Sequence, residues 1–313
     1  MRSPKTRDLA WLKTIPKSAA VLRASASVQA RVGAELGLPS ISSFGDIAAG
    51  ASTLIVAGGG CLMDEAKHFR ARRRPMLNPM LNLILVPSIW GSGAETSPIT
   101  VLNCEGGKRI ASGDEFLPDT VVYWPELLAT VPPARAKHAC GDAWAHTLEA
   151  FLSPLASDSL RGQLATLIGE MLRLPLAADP RWFQASARAA ALQAGASVGL
   201  VHGIAHVLEY PLRARYPGED WGHARLCAIF LLPVMRLNRA ASPKWADLAR
   251  QYAIDEAAVW HVLHQLFAPE GLAAALPFLH ENWMQILRDP CTRTNGALIR
   301  PRHLSEIAQQ AAV

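Results

Sequence analysis

The sequence predicts an α/β fold over residues 1–131 followed by an all-helical fold over residues 132–313. Three observations carry that expectation. Up to Val131, short β-branched runs alternate with helical stretches, the pattern of a parallel sheet with crossover helices. Beyond Pro132 and Pro133, long Ala/Leu/Arg-rich segments keep a helical period and hold no convincing strand. Pro175, Pro180, Pro211, Pro217 and Pro233 then divide this half into helices of ordinary length, because proline disfavours a helix interior.

Taken in order, Met1 to Lys17 is basic but lacks an apolar core and a small-residue cleavage site, so no secretory signal is expected. The first buried strand is Thr53 to Ala57. Gly58-Gly59-Gly60 follows it and a helix carrying Asp64 and Lys67 begins near Met63, which puts the glycines on a strand-to-helix turn. Without Cβ atoms such a turn lets a pyrophosphate approach the backbone, and the helix N-terminus offers free N–H groups; a plain tight turn is the alternative. Arg70, Arg72, Arg73 and Arg74 before Pro75 read as a solvated helix end, where the helix dipole favours cations. Leu83 to Val86 is the next strand. After it, Pro87 leads into a second polar glycine loop, Gly91-Ser92-Gly93, with Ser88, Glu95 and Thr96 beside it. Two such loops at neighbouring strand ends fit one nucleotide crevice, or two ordinary connections. Thr120 to Tyr123 is the last strand, and the boundary falls near Pro132.

The chemistry-bearing residues cluster in the helical half. Asp142 and His146 lie four apart in one helical segment, and His202 and His206 four apart in another, so each pair shares a helix face. His223 lies in the following loop or helix start. A carboxylate with several imidazoles suits Fe(II) or Zn(II). His68, His138, His261, His264, His280 and His303 have no such partners and read as structural.

Composition excludes other classes. Half of the 313 residues are apolar and 18% are charged, which supports a large core and argues against disorder. The apolar run Cys227 to Met235 is too short for a bilayer and contains Pro233, so no membrane partner is expected. Five scattered cysteines without a C-x-x-C pair argue against a disulfide framework and for a reducing cytoplasm. The net charge of +5 comes without a basic stripe interleaved with aromatics, so no nucleic-acid partner is expected.

Gly58-Gly59-Gly60-Cys61-Leu62-Met63-Asp64-Glu65-Ala66-Lys67 resembles the GGGSxxDxAK segment of the iron-containing alcohol dehydrogenase family. The later segments agree in order. Pro87 to Glu95 resembles that family's PTTxGTGSE, Leu117 to Leu127 its PDxxxxDPEL, Gly141 to Ala150 its GxDALTHAIEA, Gly199 to His206 its GLVHxxAH, and Phe230 to Asn238 its ILLPHVMRFN. The resemblance implies a Rossmann-like dinucleotide-binding domain, with Gly58, Gly59, Gly60, Cys61, Asp64, Ser88, Ser92 and Lys108 contacting NAD or NADP. It implies an all-α metal-binding domain in which Asp142, His146, His202 and His223 hold a divalent metal, Fe(II) or else Zn(II), and His206 relays a proton. Maleylacetate reductases share the layout but lack the ligand aspartate that Asp142 supplies.

The chain departs from the family at several points. Cys61 replaces a serine, Ser88 and Ile89 replace a threonine pair, and Trp90 brings a large ring to a small position. The stretch before Gly58 is short, so a reduced or absent first strand is expected, with reduced adenine-side contacts. The segment between His206 and His223 is longer than usual. The function implied is metal-dependent, NAD(P)-linked hydride transfer between a nicotinamide and an alcohol, aldehyde or ketone, with a homodimer as the expected assembly. Two alternatives stay open: oxidation, with or without decarboxylation, of a β-hydroxy acid on a biosynthetic intermediate or peptide terminus, and a non-catalytic scaffold.

Overall fold

The computed structural model describes residues 3–48, 50–73, 81–104 and 107–312. The first half contains β1 (Lys5–Arg7), α1 (Leu9–Leu12), β2 (Ala20–Ala24), α2 (Ala26–Leu36), β3 (Thr53–Gly58), α3 (Gly60–Arg73), β4 (Asn82–Pro87), β5 (Ile99–Cys104), β6 (Gly107–Ser112) and β7 (Thr120–Val122). Five strands form one parallel sheet in the order β1-β7-β4-β3-β2, while β5 and β6 make a separate antiparallel hairpin. Two strands therefore precede β3, the strand that leads into the glycine turn. β1 has three exposed residues, the reduced first strand the sequence suggested, and β2 is a full strand that its short mixed sequence concealed.

Every residue of β3 is buried, and the side chains alternate between two helical layers as the period of two requires. Ile55 and Ala57 pack with Val28, Val32 and Leu36 of α2, spaced to share one helix face. Leu54 and Val56 pack with Met63 and Ala66 of α3. Gly58 pairs with Pro87 across β3 and β4, so the two glycine loops leave adjacent strand ends together. Arg70 overturns the reading of a solvated helix end: it is buried and donates to Asp119 Oδ2 (2.7 Å), Glu115 O (3.0 Å) and Leu117 O, tying α3 to the segment before β7. Arg72 is exposed as expected, and Arg74 lies outside the described residues.

The second half contains α4 (Pro133–Leu152), α5 (Asp158–Met171), α6 (Arg181–Gln193), α7 (Leu200–Arg215), α8 (His223–Ala241), α9 (Lys244–Tyr252), α10 (Glu256–Leu266), α11 (Pro269–Arg288) and α12 (His303–Ala308). No strand occurs beyond Pro132 among the described residues. Pro180 caps α6 as expected, but Pro211 and Pro233 lie inside α7 and α8 instead of ending them. Proline inside a helix costs about 3 kcal/mol. The apolar core around Pro233 offsets it: Phe230, Leu231 and Leu232 are each at most 1% exposed, and burying each stabilises by roughly 1.5–3 kcal/mol. No single helix among the described residues is long and apolar enough to cross a membrane.

α4 runs through the centre of the helical core and packs along α8. Their backbones meet at Gly141, where a Cβ would lie 2.5 Å from Ala228 Cβ and 2.8 Å from its Cα. Only glycine permits that approach, and it brings Asp142 beside the first turns of α8.

Candidate metal centre and nucleotide cleft

Asp142 and His146 lie one turn apart on α4, and a helical side chain leans towards the N-terminus, so the longer histidine reaches back towards the aspartate. His146 Nε2 lies 3.6 Å from Asp142 Oδ1. His202, in the first turn of α7, places Nε2 3.8 Å from the same oxygen and 3.3 Å from His146 Nε2. His223, the first residue of α8, places Nε2 3.7 Å from it. Four tetrahedral donors on bonds near 2.1 Å would stand roughly 3.4 Å apart, and these separations bracket that value.

The donor chemistry fits a divalent cation. Asp142 Oδ1 is buried without a hydrogen-bond partner, at a cost a cation among three imidazoles would remove. Burial raises the Asp142 pKa above its ordinary value, and it presses all three rings below theirs. His146 falls to about 3, first through burial and then through the nearby His202. His202 and His223 fall well below 6.5, again chiefly through burial. Neutral imidazoles with free lone pairs are the form a metal requires.

Glu149, which sequence reasoning missed, sets the orientation of His202. Its Oε2 lies 2.7 Å from His202 Nδ1, so that nitrogen carries the proton and Nε2 faces Asp142 with a lone pair. The same carboxylate accepts from Val201 N (2.6 Å) and His202 N (3.4 Å), capping the buried start of α7. These donors pull its pKa down, but burial dominates and raises it to about 7.

The structure brings His206 near this cluster but not onto Asp142. Its ring stacks on His223 at 5.4 Å, and its Nδ1 faces Asp289 Oδ2 at 3.6 Å and Cys291 Sγ at 3.8 Å. Burial opposes the Asp289 charge, yet the His206 ring and the Cys291 N–H outweigh it and hold the carboxyl below its usual range. Neither Asp289 nor Cys291 carries a spacing signal towards His206. Cys227 does: it sits one turn after His223, and its Sγ lies 3.6 Å from His223 Nε2.

A cavity of about 970 Å³ joins this cluster to the glycine turn. Gly60, Cys61, Asp64, Ser92 and Lys108 line it; Gly58, Gly59 and Ser88 are not among its lining residues. His138, read from the sequence as structural, also lines it. Asp64 is largely taken by the fold, since it binds Lys67 Nζ and Val101 N at 3.0 Å each. Lys67 also reaches Ala94 O and Ile99 O, so the pair fastens the second glycine loop and the hairpin to α3. Lys108 pairs with Glu209 Oε2 at 2.5 Å and lies 3.3 Å from His223 Nδ1. An ammonium only donates, so this contact makes Nδ1 of His223 an acceptor and leaves its neutral-ring proton on Nε2.

The second glycine loop joins the two halves more than it opens to ligand. Gly91 (φ +114°) and Gly93 (φ +57°) are in the left-handed region. A Cβ on Gly93 would lie 2.7 Å from Ser186 O of α6, and one on Gly91 3.2 Å from Asp142 Oδ2. Trp90 turns inward, 3% exposed, against Trp182 and Phe183.

The family model described as iron-containing alcohol dehydrogenase matches residues 9–125. Maleylacetate reductase 2 of Cupriavidus pinatubonensis is 30% identical over 263 residues, covering 80% of this chain and 64% of that protein. This chain thus spans just under two thirds of that relative's length. A probable alcohol dehydrogenase of Salmonella typhimurium is 27% identical over 278 residues, covering 77% of this chain and 68% of the other. Among solved structures, sulfoacetaldehyde reductase from Bifidobacterium kashiwanohense in complex with NAD+ superposes with a TM-score of 0.74 at 17% identity, covering 99% of this chain and 96% of that one. With the parallel sheet, the glycine turn and the helical half in place, the chain is similar in fold, and over residues 9–125 in sequence, to the iron-containing alcohol dehydrogenase family.

Proposed function

We propose that the chain is a metal-dependent, NAD(P)-linked alcohol dehydrogenase or carbonyl reductase, with residues 1–131 holding the nucleotide and residues 132–313 the metal. One observation supports this most: the imidazoles converging on the orphaned Asp142 Oδ1 share a cavity with the turn at Gly60 and Cys61. Asp142, His146, His202 and His223 would hold the cation, which would supply a Lewis acid for the oxygen of an alcohol or carbonyl substrate, and the nucleotide would supply the hydride carrier. The start of α3 offers N–H groups without intrahelical acceptors to a pyrophosphate. Glu149 fixes His202 through Nδ1. Asp289 engages His206 through Nδ1, which leaves Nε2 to take or give the proton that accompanies hydride transfer. Ile89, Trp90 and Val198 line the cavity with apolar surface that excludes water.

The test is metal analysis and NADH and NADPH titration of one anaerobic preparation, with turnover screened on alcohols, aldehydes, ketones and β-hydroxy acids. Asp142→Ala and His202→Ala should lose both metal and turnover; retention of both would end the assignment. Failure of the wild-type protein to bind both nucleotide and metal would favour the scaffold reading.

A further inference from the structure

We propose that Cys227 is a metal donor of this centre, alongside the aspartate and the imidazoles. The inference rests on the metal reading above and deepens it. Cys227 follows His223 by one turn on α8, is fully buried, and places Sγ 3.6 Å from His223 Nε2. Its Sγ also lies within 4.8 Å of an Asp142 carboxylate oxygen. The donor atoms of Asp142, His202, His223 and Cys227 all lie within 4.8 Å of one another. In a five-coordinate centre, opposite donors stand roughly 4.4 Å apart when one is sulfur, so the sulfur is within coordinating range. The close approach of α4 and α8 at Gly141 and Ala228 places it there. Cys227 also stands beside His223, the histidine whose other nitrogen Lys108 engages.

On loading, the Cys227 S–H bond breaks, its electron pair remains on sulfur as the donor pair, and the proton leaves to solvent. No oxidant or reductant takes part. A thiolate added to oxygen and nitrogen donors shifts preference from Fe(II) towards softer partners such as Zn(II). This chain therefore differs in metal choice from a centre built of one carboxylate and imidazoles alone.

The experiment loads the full chain with Co(II) and records its spectrum. Visible d–d bands report cobalt bound, and a near-ultraviolet thiolate-to-cobalt charge-transfer band reports sulfur bound. The expected result is both band sets in the wild type, loss of the charge-transfer band alone in Cys227→Ser and Cys227→Ala, and its survival in Cys291→Ala. Zn(II) affinity should fall roughly tenfold or more in the Cys227 variants, at least the loss typical of a supporting residue. X-ray absorption on the zinc-loaded wild type, which needs no variant to fold, should show sulfur at about 2.3 Å. Stoichiometric cobalt without a charge-transfer band, zinc without a sulfur shell, or a band that follows Cys291 would overturn the role of Cys227 and leave the metal centre standing. Failure to bind cobalt and zinc at all would overturn both.

Discussion

Glu149→Gln replaces one carboxylate oxygen with an NH2 group at almost no change in volume, which makes it a sharp probe of how the centre is organised. In the wild type, Oε1 accepts from Val201 N and Oε2 accepts from His202 Nδ1. A glutamine has one acceptor oxygen and one NH2 group. If the NH2 faces Nδ1, it donates there and drives the imidazole proton onto Nε2, the atom that should bind metal. If it faces Val201 N instead, two donors meet in a buried place, at about 1–3 kcal/mol. Either arrangement weakens the metal-competent form. Loss of such a supporting contact typically costs about 10–100-fold in metal affinity, or roughly 1.4–2.7 kcal/mol. Competition with a chromophoric chelator measures it, and circular dichroism verifies that the helices persist. A folded Glu149→Gln protein whose zinc affinity stays within about threefold of the wild type would refute the orienting role.

Two further perturbations separate the packing from the chemistry. Gly141→Ala puts a methyl 2.5 Å from Ala228 Cβ, so it should destabilise by about 1–3 kcal/mol in urea titration and lower the metal content; unchanged stability and content would mean that α4 and α8 do not need this approach. Glu95 is fully buried and its pKa is raised by that burial from 4.5 to about 7. Its folded-state preference for the proton contributes fully below pH 4.5 and is lost as pH rises through about 7, a total of roughly 3 kcal/mol. Glu95→Gln should therefore gain stability over the wild type at pH 8 and show little difference at pH 4.5; equal differences at both would contradict the burial argument.

Much of the centre was legible because it rests on helical spacing. Asp142 and His146 converge as four-residue spacing requires, since a short side chain meets a longer one leaning back to it. The same rule placed His206 beside His202, but two rings one turn apart stand 6.2 Å from each other, and Glu149 turns only His202 onto Asp142. His206 goes instead to Asp289, whose approach depends on how α11 packs on α7, and no local pattern encodes that. Cys227 carried the readable spacing, one turn after His223. A lone cysteine forms no paired pattern in sequence, and its approach to Asp142 depends on how α8 packs against α4. In the sheet, apolar β3 and β4 were visible, whereas β1 and the β5–β6 hairpin are short, polar or exposed and owe their form to partners. Arg70 misled for a similar reason: its burial is decided by Asp119, far along the chain.

The central claim is that one divalent cation belongs at the meeting point of α4, α7 and α8. Anomalous diffraction from crystals of the metal-loaded protein tests it most directly. The account predicts a single peak within about 2.3 Å of Asp142 Oδ1 and of Nε2 of His146, His202 and His223. A peak seated on His206, Asp289 and Cys291, or no peak near Asp142 in protein that carries stoichiometric metal, would contradict it.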